Sequence, residues 1–130
     1  MKVIDPESLG RPRGYANGLL TPPGARLLFV AGQIGWDQNQ RLVGEDFVEQ
    51  FDRALKNVLA VVAEAGGAPG SIGRMVVYVT DKREYAARTA EVGERWRALM
   101  GRHFPAMALV EVKGLLEEGA KVEIEATAAL

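Results

Sequence analysis

The 130-residue sequence predicts an α+β fold of order ββαβαββ, a mixed sheet with two helices on one face. Three observations carry this. Phe47, Phe51, Leu55, Val58, Val62 and Ala65 recur at three- and four-residue steps, which places them on one stripe of a helix. RLLFVAGQI (26 to 34) and RMVVYVT (74 to 80) are β-branched or aromatic runs of strand length. LLFVA, MVVYV and ALV are apolar on both alternating faces, as strands covered on both sides are.

The elements follow in order. An extended segment at 14 to 21 (GYANGLLT) stops at Pro22-Pro23-Gly24, which cannot continue a ladder, and the run at 26 to 34 follows. The pair is expected to form a β-hairpin. WDQNQR (36 to 41) is polar and turn-like, and the first helix then runs from Asp46 until Gly66-Gly67 end it. After a loop at 68 to 73 comes the strand at 74 to 80. Asp81, with Glu84 three residues on, has the form of a capping box for a second helix over about 82 to 100. Its buried line is expected to be Tyr85, Val92, Trp96 and Leu99. Gly101 closes it, and strands are expected at 106 to 113 and 121 to 128, joined by GLLEEGA. Two helices cover one face of such a sheet, so the second apolar face calls for another copy of the chain: a closed homo-oligomer.

Composition narrows the function classes. The 48% hydrophobic and 25% charged content is that of a soluble globular chain, and the length suits one domain over residues 1 to 130. With no cysteine, disulfides, thiolate metal sites and a Cys nucleophile are excluded. The first residues, MKVIDPESLGRPRGY, lack the apolar core of a secretory signal, and no run approaches the roughly 20 residues of a membrane span, so a cytoplasmic location is expected. Sixteen basic against seventeen acidic residues give no electrostatic footprint for nucleic acid.

Few motifs bear chemistry. His103, the only histidine, lies just past a helix end with no second His and no H-E-x-x-H or G-x-S-x-G near it, which reads as a cap residue. AGQIG and EAGGAPGSIG lack dinucleotide-binding spacing or context. The charges of the second helix, Arg88, Arg95, Arg97 and Glu91 among them, mix signs as on a solvated face. The acids inside strands stand out more. Glu111 lies in LVEV; Glu123 and Glu125 in KVEIEA share one face, opposite Val122, Ile124 and Ala126. On a covered face a carboxylate is either partnered or poised as a general base, and both readings stay open.

Taken as a set, GY at 14 to 15, FVAGQI at 29 to 34, EAGG at 64 to 67, VVYVTD at 76 to 81, FPA followed by VEV at 104 to 112, and VEIEA at 122 to 126 resemble the Rid (reactive intermediate deaminase, YjgF-like) family over nearly the whole chain. The resemblance implies a chorismate-mutase-like fold and a homotrimer whose sheets form a central barrel, with three clefts between subunits. It implies hydrolysis of 2-imino or 2-enamino acids to 2-oxo acids and ammonia, with no metal and no cofactor. It assigns Tyr15 and Gly32 to the cleft, Leu109 to a position whose backbone amide faces the ligand, and Glu123 to orienting the attacking water. In that family an arginine directly after FPA grips the substrate carboxylate; here Met107 stands in its place. A guanidinium fork offers charge-assisted hydrogen bonds, whereas methionine offers a flexible apolar wall. Altered substrate preference follows, and Arg13, Arg26 and Arg102 are the arginines considered as replacements. The readings left are an imine or enamine deaminase using Met107 and Leu109 as apolar contacts, a non-catalytic small-molecule binding trimer, and, with least support, an endoribonuclease.

Overall fold

The computed structural model describes residues 1 to 130. In chain order it holds β1 (Lys2–Ile4), β2 (Gly18–Leu20), β3 (Leu27–Ile34), α1 (Phe47–Glu64), β4 (Ile72–Val79), α2 (Lys82–Ala87), α3 (Thr89–Met100), β5 (Ala106–Glu111) and β6 (Val122–Ala129). The main sheet has the order β3-β6-β4-β5. β6 runs antiparallel to both neighbours, while β4 and β5 are parallel, as a helical crossover between them requires. The sheet is therefore mixed and all helices pack on one face, as the sequence predicts.

The core lies between that face and the helices. Phe47, Phe51, Leu55, Val58 and Val62 are buried against Met75, Val77, Val79, Val122 and Ile124. Full burial of each such side chain stabilises by about 1.5–3 kcal/mol. Asp46 caps α1 by accepting from the Glu49 N–H at 3.0 Å. Ala65, expected on the buried stripe, is instead an exposed C-cap residue beside Gly66, whose φ of 86° takes the left-handed turn out of the helix.

Two expectations are corrected. The segment at 14 to 21 does not form a hairpin with β3: its strand, β2, pairs with β1 in a separate ribbon, and β3 pairs with the C-terminal β6. Pro22 and Pro23 donate no N–H, so the ladder cannot pass through them. Beyond them Arg26 and Leu130 exchange backbone bonds of 2.7 and 2.8 Å that start the β3–β6 pairing. The sheet thus has four strands plus a ribbon, and β1 is an element sequence patterning did not reveal. The second helix is also broken, at Arg88 (φ −120°, ψ 19°). The break sets the Arg88 guanidinium between Asp46 at 3.0 Å and Glu91 at 2.7 Å. These bonds hold the Glu91 carboxyl below its usual range, through its hydrogen bond to Arg88. Val92 and Trp96 are buried as expected, while Tyr85 and Leu99 are half-buried at the edge of the core. Asp81 caps α2 through the Arg83 and Glu84 N–H groups, but Glu84 reaches Lys121 at 3.5 Å instead of closing a capping box.

The sheet face away from the helices is open. Leu27, Phe29 and Val110 stand on it at 57%, 76% and 41% exposure. On the helix side, where β6 begins, a buried side chain of α1 fastens the loops. Gln50 donates to the carbonyls of Gly44 and Gly119 at 2.8 and 3.0 Å and accepts from the Lys121 N–H at 2.8 Å. Gln50→Leu keeps the volume and strands those three groups, so it is expected to lower stability by about 2–4 kcal/mol in urea denaturation.

Candidate functional site

The first half of the site is set by a bulge in β3. The β3–β6 register shifts between Val30 and Gln33, so Ala31 and Gly32 form the irregular step. Bulges re-aim neighbouring groups, and here the step carries the backbone over Glu123. A Cβ on Gly32 would overlap the Glu123 carboxylate, with Cδ at 2.8 Å and Cγ at 3.0 Å. A side chain at 32 would push the Glu123 carboxylate aside, so the bare Gly32 backbone lets the carboxylate lie where it does; no unusual φ is involved. Just beyond, a Cβ on Gly35 would lie 2.6 Å from the Gln50 backbone, and the Asn57 amide donates to the Ile34 and Trp36 carbonyls at 3.0 and 2.9 Å. Gln50, Asn57 and Gly35 therefore hold the end of β3 where it frames Glu123. Sequence reasoning passed over all three, because each acts through a partner distant in the chain.

Glu123 shares the open face with Tyr78, its cross-strand partner, and with Glu125. The two acids have different environments. Glu125 accepts a 2.7 Å hydrogen bond from the Tyr78 hydroxyl, which pushes the tyrosine pKa above its usual value. The Glu123 carboxylate has no hydrogen bond and no ion pair. Glu111 is the partnered case: its Oε2 accepts from the Lys82 N–H at 2.9 Å, at the start of α2. His103 is structural as well, with its Nε2 2.6 Å from the Ile72 carbonyl. A carbonyl only accepts, so Nε2 carries the proton.

The second half lies along β5, the free edge of the sheet. Met107 and Leu109 pair with Met75 and Val77, so their side chains point to the helix side. There they border a cavity of about 200 Å³ shared with Tyr85 of α2 and Val92, Trp96 and Arg97 of α3. Trp96 and Phe104 stack at 6.1 Å with their planes 6° apart, and the Trp96 indole N–H donates to the His103 carbonyl at 3.2 Å. Tyr15 is held beside the same strand, because the Ala16 N–H donates to the Pro105 carbonyl at 3.1 Å. It borders a wider groove of about 590 Å³ between the β1–β2 ribbon and the sheet, which Met107 also lines. Of the arginines considered, none lines the cavity at Met107; Arg97 does.

Within one chain the five residues thus fall into two sets. Tyr15, Met107 and Leu109 gather at the β5 edge, and Gly32 and Glu123 at the β3–β6 pair. Tyr78 pairs with Glu123 and lies on the face opposite Val77 and Met75, so Glu123 is on the sheet face away from the Met107 and Leu109 side chains. No three His, Asp or Glu side chains converge as a metal site would need, and no helix is long and apolar enough to cross a membrane.

Comparison with known proteins gives a consistent picture. The family model described as endoribonuclease L-PSP matches residues 14–130. Among curated relatives, a 2-iminobutanoate/2-iminopropanoate deaminase of Salmonella typhimurium is 35% identical over 105 residues, 78% of each chain. A crystal structure of a conserved Rid-family protein of unknown function from Yersinia pestis superposes with a TM-score of 0.87 at 31% identity, covering 99% of this chain and 98% of that one. Escherichia coli TdcF, solved with bound serine, superposes with a TM-score of 0.71 at 28% identity over 100% of this chain and 99% of its own.

Proposed function

Since the chain belongs to the Rid (YjgF-like) family, that of the endoribonuclease L-PSP model, we propose that it is a homotrimeric hydrolase of reactive imines or enamines, working at clefts between subunits without metal or cofactor. The observation that carries this is Glu123. It is a strand carboxylate beside Gly32, free of hydrogen-bond and ion-pair partners, on the open face that also carries Leu27, Phe29 and Val110. Once a second copy covers that face, a carboxylate without a partner becomes costly to desolvate, and one so placed can act as a base. When a second copy covers the open face, its β5 edge can bring Met107, Leu109 and Tyr15 to the Glu123 of the first.

The chemistry asked of the site is modest. Glu123 accepts a proton from a water as that water adds to the C=N carbon, and the nitrogen takes up a proton. The tetrahedral intermediate then releases ammonia and leaves a carbonyl, so one water is consumed per imine. A positioned acid or base of this kind contributes roughly 10²–10⁴-fold. Met107 and Leu109 supply apolar contacts to the substrate, and the Tyr15 hydroxyl a hydrogen bond. The balanced charge of the chain favours a small metabolite over RNA as the ligand. Freshly generated imino and enamino compounds, with and without a carboxylate, test the reading. Wild type is expected to accelerate their hydrolysis over the rate with Glu123→Ala, and equal rates would count against it. Ligand-induced stabilisation that survives Glu123→Ala, without turnover, would mark a binding trimer instead.

A further inference from the structure

We propose that Arg97 supplies the anion-binding group at the β5 edge, and that the ligand it selects is a monocarboxylate with a single-ring or branched apolar side chain. This rests on reading that edge as the substrate side of the cleft, and it names the substrate class within it. The cavity beside Met107 is apolar on most of its wall: Phe51, Val77, Val92, Trp96 and Leu109 face it with no charge. Its only charged side chain is Arg97.

That guanidinium is free. Its neighbours on the same helical stretch are engaged: Arg88 with Asp46 and Glu91, and Arg95 with Glu49 at 2.6 Å and Asp52 at 3.5 Å. Arg97 has no ion pair and no side-chain hydrogen bond. It also lies back along α3 toward the cavity, since a Cβ on Gly93, one turn earlier, would stand 3.4 Å from its Nη1. Glycine inside a helix is unfavourable by about 1 kcal/mol against alanine. Gly93 itself lines the cavity, so that cost has a counterpart: a bare helix surface over which a guanidinium folds.

Ligand size follows from the walls. An apolar cavity of about 150 Å³ admits one benzene-sized molecule, and this one measures about 200 Å³. Trp96 and Phe104, stacked on each other, both line it, so part of its wall is aromatic. A ring or branched chain packed there, with its carboxylate on Arg97, uses both features. Met107 then replaces the usual arginine with a wall for the side chain, while the charge comes from the helix.

Three probes separate the parts: phenylpyruvate carries ring and carboxylate, pyruvate the carboxylate alone, and phenylacetone the ring alone. By calorimetry, phenylpyruvate is expected to bind wild type at least about 10-fold more tightly than either. Arg97→Gln should lose about 10-fold or more for phenylpyruvate and nothing for phenylacetone, with Arg97→Lys between. Arg97 is exposed, so its variants should melt within a few degrees of wild type. Equal affinity of Arg97→Gln and wild type, phenylacetone binding as well as phenylpyruvate, or no phenylpyruvate binding would each overturn the inference. If Arg97→Gln binds normally while Glu123→Ala abolishes hydrolysis, only this inference falls. If Arg97→Gln loses binding while hydrolysis ignores Glu123, the hydrolase reading falls and this one stands.

Discussion

Glu123→Gln is expected to slow imine hydrolysis by about 10²–10⁴-fold, the range for loss of a positioned base. The substitution is nearly isosteric, so the fit of the side chain under Gly32 is kept and only the ability to take a proton is lost. Stability should move little, because the carboxylate has no hydrogen bond or ion pair to lose. That separates it from Glu125→Gln, which alters the 2.7 Å bond to Tyr78 and is expected to act on folding or assembly more than on turnover. Single-turnover rates beside melting temperatures for the two variants make the comparison. A Glu125 variant as slow as the Glu123 variant would mean that the base has been misassigned.

Phe29→Glu should dissociate the assembly. Phe29 is 76% exposed in a single chain, on an open face it shares with Leu27 and Val110. A second copy laid on that face would bury it, and a carboxylate in its place would enter the interface unpaired, once per subunit. Each buried, unpaired charge costs several kcal/mol, so an assembly held at micromolar concentration falls apart. Sedimentation velocity is expected to show monomers, with hydrolysis at background because neither half of the site is complete alone. The monomer should keep its helix content, since the core between the sheet and α1 does not involve Phe29. An intact trimer in the Phe29→Glu protein would move the interface elsewhere.

Local patterning carried much of this fold. The α1 stripe, the β4 run and the alternation in β6 are all periodic within a few residues, and Glu123 and Glu125 fall on the face that alternation assigns. What patterning misses is partner choice. Pro22-Pro23-Gly24 signals a turn but not which strand follows it in space, and β3 pairs with a segment about 100 residues away rather than with β2. The break at Arg88 has no glycine or proline to announce it; its ion pair with Asp46 spans 42 residues. At the site, Gly32 came only through the family resemblance, because the carboxylate beneath it is 91 positions on and no local pattern links the two. Arg97 shows the limit most clearly. Helical spacing placed it on a charged, exposed face, which is correct, yet nothing in the sequence marks that part of the face as the rim of a cavity.

If the catalytic carboxylate and the apolar edge come from different subunits, two inactive chains can restore each other. Subunit mixing uses one chain carrying Glu123→Gln and another carrying Met107→Glu, which puts a like charge where an anionic substrate packs. Each alone is expected to be inactive. Unfolded together at equal amounts and refolded, randomly mixed trimers should recover about a quarter of the wild-type rate, because one cleft in four joins an intact Glu123 to a neighbour's intact Met107. If the mixture is no more active than either parent, both groups act within one chain, and the account of a shared site is wrong.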